Sequence, residues 1–441
     1  MFSWLTDIFS SSTKHIEPYH FGRFISYKKT HEQQEFYQAS KKSFSEQRYI
    51  EGYENYFKYL RFEDENGKDH GNISFKKDAN SLEFKIIQGS AIIKGNITQR
   101  RLVAFVNIAH TVKGNIAVMR RLLEKNYMYT YSSFFLEADT LRSKIYFDNA
   151  SLSPQKVYFP LREIAINTDK EKELLLDEFN DLDPIELDHI VAMQPHLKDT
   201  KLRFFREWID KTQQKVALLP TQEQSGAIAF VWLGLLLRID YFVTPRGKLG
   251  YDIYEAIQEY YIDDDKLIEE KNDALQIATL KLKELDTQKL SKSLYPVQQT
   301  FDIFTLNNLD EIRAFIEETL SKIIWYKEHR YEEIILTIYE YLGLYMLYNY
   351  GMNDCLRELV QLNVRIHNTD FHSALGIPSL YKSEEKLDHA KVSKEIKKTV
   401  GSYHKLYPHL HDFSSSLNYE SLEKFHHSYF NAIKNLSFSE L

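Results

Sequence analysis

The spacing of apolar residues changes partway along the chain, and the change divides it. Between residues 31 and 60 they recur at helical spacing, with Phe36, Phe44, Tyr49, Tyr53, Tyr56, Phe57 and Leu60 tending to one face. A stretch rich in Gly, Asn and Asp at 64–72 breaks that helix. Alternation follows, first Ile73 and Phe75, then Leu82, Phe84 and Ile86, which is the pattern of half-buried strands. Residues 91–98 continue extended after a bend or bulge at Gly89-Ser90, and 102–112, rich in β-branched residues, predict a third strand in preference to a helix. Residues 115–126 predict a short amphipathic helix with Ile116, Met119, Leu122 and Leu123 as its apolar stripe and Arg120, Arg121, Glu124 and Lys125 facing out. Residues 127–136 and 144–147 predict two more strands. Ser153-Pro154 then opens a helix towards Phe179, with Pro160 kinking or dividing it.

Asp181-Leu-Asp-Pro184 is the clearest boundary, acidic and closed by proline. Beyond it strand signals fade, and helical periodicity recurs over 199–217, 222–243, 251–261, 264–286, 309–327, 330–350, 352–367, 383–405 and 418–435. No fixed repeat period links these segments. Ile334, Ile335, Ile338, Tyr341, Leu342, Tyr345 and Leu347 make one of them apolar almost all round, so it should lie centrally. The expected organisation is an N-terminal extension (1–30), an α+β domain (31–182) of order α-βββ-α-ββ-α around an antiparallel sheet, and an all-α helical domain (183–441).

Three segments carry a resemblance to a known family: Ile86-Ile-Gln-Gly-Ser90, Val118-Met-Arg-Arg-Leu-Leu-Glu-Lys-Asn-Tyr127, and Tyr158-Phe-Pro-Leu-Arg-Glu-Ile-Ala165 with Asp169-Lys-Glu-Lys-Glu-Leu-Leu-Leu176. With their element order, residues 31–180 resemble the type III secretion chaperones, including the YbjN-like family. The resemblance implies a fold that dimerises and binds extended peptide segments on an apolar sheet or helix surface, and no catalytic signature. The long helical remainder departs from that pattern, because secretion chaperones are usually small and more acidic.

Composition narrows the functional classes. The 441 residues carry a formal net charge of −7, and 43% are hydrophobic and 27% charged, which is a globular balance without the basic excess of a nucleic-acid binder. A single cysteine, Cys355, precludes an internal disulfide and fits a reducing compartment. The opening MFSWLTDIFSSS lacks the basic region and apolar length of a signal peptide; Phe2, Leu5, Ile8 and Phe9 predict an amphipathic turn or two. The most apolar run, 226–237, is short for a bilayer span and reads as a buried core helix. A cytoplasmic protein without a membrane span is expected.

Chemistry-bearing motifs are sparse. Pro245-Arg-Gly-Lys-Leu-Gly250 lacks the spacing of a phosphate-cradling loop and reads as a turn between helices. Eight of the 16 histidines fall between His367 and His427. His409, His411 and Asp412, joined by His367 and His372, are the candidate metal ligands, since histidines two apart share a face in extended structure and a carboxylate completes a facial triad; solvated loop residues are the plainer account. Cys355 stands near a helix start, where a dipole would activate it, although a lone cysteine commonly serves as a small buried side chain. The acidic groups Asp263-Asp-Asp265, Glu269-Glu270, Glu317-Glu318 and Glu332-Glu333 fit helix starts or solvated faces, and the basic doublets Lys28-Lys29, Lys41-Lys42, Arg100-Arg101 and Arg120-Arg121 are dispersed among acids.

Aromatic residues are the compositional outlier, with 30 Tyr and 28 Phe against 15 Gly and 10 Pro. They are either core or a contact face. Tyr127, Tyr129 and Tyr131 alternate as on one strand face that Phe135 continues, and with Phe84 and Ile86 they are the candidate protein-binding residues. Three functions follow: a non-enzymatic adaptor that binds a protein or peptide client, with possible homodimerisation through the N-terminal domain; a metal-dependent enzyme built on the late histidines; and a structural subunit of a larger assembly. The first is favoured, with no cofactor, no nucleic acid and no catalytic residue assigned.

Overall fold

In the computed structural model, which describes residues 19–25, 29–62, 70–111, 115–219, 224–262, 265–383 and 386–438, the side chains at 408 and 411 apart, Thr30 starts the first helix. Its hydroxyl accepts from the Gln33 N–H (3.2 Å) while the Gln33 side chain accepts from the Thr30 N–H (3.1 Å), a reciprocal cap for α1 (His31–Ser45). The single helix expected over 31–60 is two, because Gln47 turns the chain with φ at 58° before α2 (Tyr49–Leu60). Small residues bring the pair close: Ser40 Oγ donates to the Gly52 carbonyl (2.8 Å), and a Cβ on Gly52 would strike the Phe44 ring.

Four strands follow as a meander: β1 (Ile73–Lys77), β2 (Ser81–Gln88), β3 (Ala91–Thr98) and β4 (Arg101–Thr111). Then come α3 (Ile116–Met128), the hairpin of β5 (Ser133–Glu137) and β6 (Thr140–Asp148), the long α4 (Pro154–Glu178), which runs unbroken through Pro160, and β7 (Leu182–Pro184). The sheet is antiparallel throughout, in the order β1-β2-β3-β4-β6-β5, with β7 against the end of β4. This is the expected α+β class with an antiparallel sheet, followed by helices. Two details differ. The 73–88 segment folds back at residue 78, where the Asp78 N–H donates to Ser81 O (2.8 Å), so four strands precede α3 where three were expected. The strand expected over 127–136 begins only at Ser133, because α3 runs on to Met128.

One sheet face is covered and the other is open. Leu82, Phe84 and Ile86, Ile93 and Ile97, Leu102, Ala104 and Val106, and Ile145 bury against Tyr53 and Phe57 of α2 and Val157, Leu161 and Ile164 of α4. Phe84 lies directly opposite Gly95, which has no side chain to keep the ring off the strand. Beside this core, Val118 and Leu122 of α3 pack with Ile108, Phe134, Leu141 and Leu175.

The remaining chain is α5 (Pro195–Ala217), α6 (Ser225–Arg238), α7 (Gly247–Ile262), α8 (Ile268–Glu284), α9 (Thr287–Lys292), α10 (Leu309–Glu328), α11 (Glu332–Asn349), α12 (Asp354–His367), α13 (Thr369–Ala374), the small hairpin β8 (Tyr381–Ser383) with β9 (Lys386–Leu387), α14 (His389–Tyr403) and α15 (Leu422–Lys434). α6 continues through a π turn to Val243. Among the described residues this is the one helix long and apolar enough to cross a membrane, and 83% of its apolar window is buried inside the protein, as befits a core helix. α11, apolar nearly all round, packs against α6, α10, α12 and α15 and is central as expected. The amphipathic turn expected over 2–9 lies outside the described residues.

Each half lends residues to the other. Phe21 and Phe24 join the helical core, with the Gly22 N–H donating to Tyr241 O (2.8 Å) and Arg23 paired to Asp240 (2.5 Å). In return Phe301 enters the core under the sheet, and Gln88 Oε1 accepts from the N–H groups of Thr300 (3.0 Å) and Phe301 (2.9 Å). The strongest tie is ionic. Arg246 reaches Asp169 Oδ2 (2.8 Å) and Glu173 Oε1 (2.7 Å) on α4, and the Tyr295 hydroxyl donates to the same Glu173 oxygen (3.0 Å). Burial pushes the Glu173 carboxyl above the usual carboxylate range, with Arg246 pulling the other way. Burial also works against the Arg246 charge, yet Glu173 and Asp169 hold its pKa above the ordinary guanidinium value.

Replacing Arg246 by Met leaves two carboxylates facing each other out of water. Urea unfolding should show a loss of roughly 3 kcal/mol, and a loss below about 0.5 kcal/mol would mean that the pair is not desolvated.

Candidate interaction surface

Among the described residues the candidate metal ligands do not converge. His409 and Asp412 are exposed on a 3-10 helix, Pro408–Ser416, where three residues per turn send positions two apart to different sides, so the shared face expected of an extended segment is lost. His372 is buried on α13, its Nδ1 against Asn368 O (2.9 Å) and its ring against Phe21 and Phe242. His367 stacks on the buried His426 at 3.9 Å between ring centroids, and the Asn363 amide donates to His426 Nδ1 (3.0 Å). Among the described residues no three His, Cys, Asp or Glu side chains are grouped to hold a metal ion; the His411 side chain lies outside them. Desolvation lowers His367 to about 3 and His372 to about 4, so both rings are packed as neutral groups.

Other chemical candidates are also absorbed by structure. The turn at 245–250 starts α7, and its N–H groups are taken: Gly247 N–H donates to Glu173 (3.0 Å) and Lys248 N–H to Asp177 (2.7 Å), carboxylates where a phosphate would sit. Cys355 is buried, and desolvation with the nearby Glu358 and Asp354 carboxylates pushes its thiol up to about 12, the opposite of activation. Arg121 is held by Glu171 (3.1 Å) and Glu178 (2.5 Å). The tyrosines of α11 belong to the core, with Tyr341 bonded to Tyr261 (2.8 Å) and Tyr348 to Gln258 (2.9 Å).

The N-terminal candidates are sorted by the strand parity. Phe84 and Ile86 point to the helix-covered face and are core. Tyr127, Tyr129 and Tyr131 are not on a strand: Tyr127 ends the outer face of α3, Tyr129 caps the helix and contacts Phe134, and Tyr131 stands in the following turn against Phe147. The expected stripe of α3 also splits. Leu122, with Val118, faces the core, whereas Ile116, Leu123 and Tyr127, at offsets of seven and four residues, share the opposite side. These three are 83%, 63% and 94% exposed, and Met128 beside them is 70% exposed.

The loop beside these residues is tied to α4, and α3 itself to β5, by hydrogen bonds. Glu163 on α4 accepts from the N–H groups of Thr130 (3.1 Å), Tyr131 (2.8 Å) and Ser132 (2.7 Å), fixing the loop that follows α3. Asn126 donates to Phe134 O (2.8 Å) and accepts from Phe134 N–H (2.6 Å), so its amide occupies the outer edge of β5 as a further strand would. A strand added at Phe134 would have to displace this amide, which favours contact by side chains here. Phe135, expected to continue the tyrosine face, stands on the open face of the sheet; sequence reasoning missed Val103, Phe105 and Tyr146, which occupy that face through the other parity of the same alternation. Comparison with protein-family models, curated proteins and solved structures finds no match to this chain.

The desolvated imidazoles of His367 and His372 give stability a pH dependence of known sign. Their folded pKa values lie below the ordinary 6.5, so their contribution is complete above that pH and is lost as pH falls towards 4 and 3. Denaturant titrations should show a loss on the order of 1 kcal/mol per pH unit from each group on acidification. The slope should be shallower in His367→Gln; an unchanged slope would remove His367 from the account.

Proposed function

We propose that this chain is a non-enzymatic, chaperone-like adaptor that binds a protein client by apolar contact on the outer face of α3. One observation carries this reading. Ile116, Leu123 and Tyr127 on one face of α3, with Met128 at its end, leave apolar side chains in water on a helix whose other side packs Val118 and Leu122 into the core. Ordinary amphipathic helices bury their apolar residues and solvate the remainder, and large apolar side chains grouped on one exposed face are the mark of a contact site. Tyr127 adds a large, stiff ring of the kind that dominates interface energetics. Client binding costs little ordering here, since the loop beside the stripe is already fastened by Glu163.

The double variant Leu123→Lys/Tyr127→Lys tests this. Both positions are exposed, so the melting temperature should stay at the wild-type value, while recovery of the co-purifying client from native cells should fall about tenfold. Unchanged recovery removes the stripe from client binding. A wild-type mass that doubles with concentration, and does not in the variant, reassigns the stripe to a homodimer.

A further inference from the structure

The open face of the sheet carries a second constellation, separate from α3. Strand register places Lys85 directly opposite Lys94, Lys94 opposite Phe105, Phe105 opposite Lys144, and Lys144 opposite Ser133. These residues share the face away from α2 and α4, so three lysines and one ring form a single row across β2, β3, β4 and β6. With strands about 4.8 Å apart, the row is roughly 14 Å long.

Like charges directly opposite one another destabilise a sheet, and only part of this row is relieved. Lys94 pairs with Glu186 (2.7 Å). Among the described residues no carboxylate lies in ion-pair range of Lys85, and Lys144 sits over the Phe135 ring (4.7 Å) without one. Alongside runs a shallow groove of about 510 Å³ whose lining includes Ser74, Lys76, Lys85, Lys94, Val103 and Phe105. Tyr146, next to Val103 in the adjacent row, is 58% exposed.

We propose that this open face binds an extended, acidic segment of a partner polypeptide laid across the strands, its carboxylates on Lys85 and Lys144 and its apolar side chains on Val103, Phe105 and Tyr146. Charge sets the class of partner, because the row offers cations that the protein's own acids leave unmatched. The rings favour polypeptide over single-stranded nucleic acid. Stacking of successive bases needs several free aromatic faces, but the Arg142 guanidinium covers Phe105 (5.5 Å) and Lys144 covers Phe135, which leaves Tyr146. Glu83, in the row between Lys76 and Asn96, adds a negative charge that a uniformly charged phosphate backbone would meet and a peptide with spaced acids avoids. The surface is independent of the α3 stripe, and either can fail alone.

The test is fluorescence anisotropy on the full chain with a short labelled peptide in which Glu alternates with Val, beside its Gln-for-Glu counterpart and an oligothymidylate. The Glu peptide should bind, bind less tightly as salt rises, and lose about tenfold in affinity to Lys85→Glu/Lys144→Glu. Both positions face water, so the melting temperature of that variant should match the wild type; Lys85→Gln/Lys144→Gln should lose affinity to a smaller degree. Equal binding of the Gln peptide, no binding at millimolar peptide, or an affinity indifferent to both variants overturns the proposal. Tighter binding of oligothymidylate with the same lysine dependence also overturns it and makes the face a nucleic-acid surface.

Discussion

The arrangement of the two halves depends on one arginine. Arg246 opens α7 and enters the space between α7 and α4, where Asp169 and Glu173 await it with side chains 8% and 9% exposed. Two carboxylates so placed could not both stay ionised in the absence of a cation. The cation could not stay there without them. The pairing also ties down backbone on both sides. Ser90 N–H donates to Asp169 (2.6 Å), which fixes the β2–β3 turn, and Gly247 N–H donates to Glu173, which fixes the first turn of α7. Gly89 and Gly247 border this cluster and both require glycine, with φ at 57° and 66° and the Asp169 and Asp177 carboxylates where a Cβ would project.

α4 distributes that constraint. One side covers the sheet through Val157, Leu161 and Ile164, and along its length it presents Glu163 to the loop after α3, Arg162 to the Asp302 carbonyl (2.8 Å), and Asp169, Glu173 and Asp177 to the helical half. The loop beside the outer face of α3 and the inter-half contact are thus both held by a single helix. A change at one end is felt at the other only through displacement of the whole helix, because packed cores shift as units.

Much of the fold was legible in the sequence because it rests on periodicity. Alternation at 82–86 and 102–106 marked strands, and Ser153-Pro154 marked the start of α4. What periodicity does not encode is handedness of exposure. The pattern at Phe84 and Ile86 is identical whether that parity meets helices or partners, and only the position of α2 and α4 decides. Tyr127, Tyr129 and Tyr131 alternate by coincidence at a helix end, where Asn126 at the edge of β5 favours continuing the helix to Met128. The candidate ligands lie close in sequence, but helix packing parts His367 and His372 from His409 and Asp412, setting His367 on His426 and His372 against Phe21. The cationic row was invisible for a different reason: Lys85, Lys94 and Lys144 lie far apart in the chain and become neighbours only through register.

The amide of Asn126 also has a bearing on how copies of this protein can assemble through their sheets. A filament grown by edge pairing needs two open edges on every molecule, one to accept and one to offer. Here Asn126 holds the outward N–H and carbonyl of Phe134 on the β5 edge, and β1 at the other end of the sheet carries Lys76 and Lys77. An incoming strand would have to displace that amide at β5 or meet two like charges at β1. One internal side chain thus works against growth at its end of the sheet.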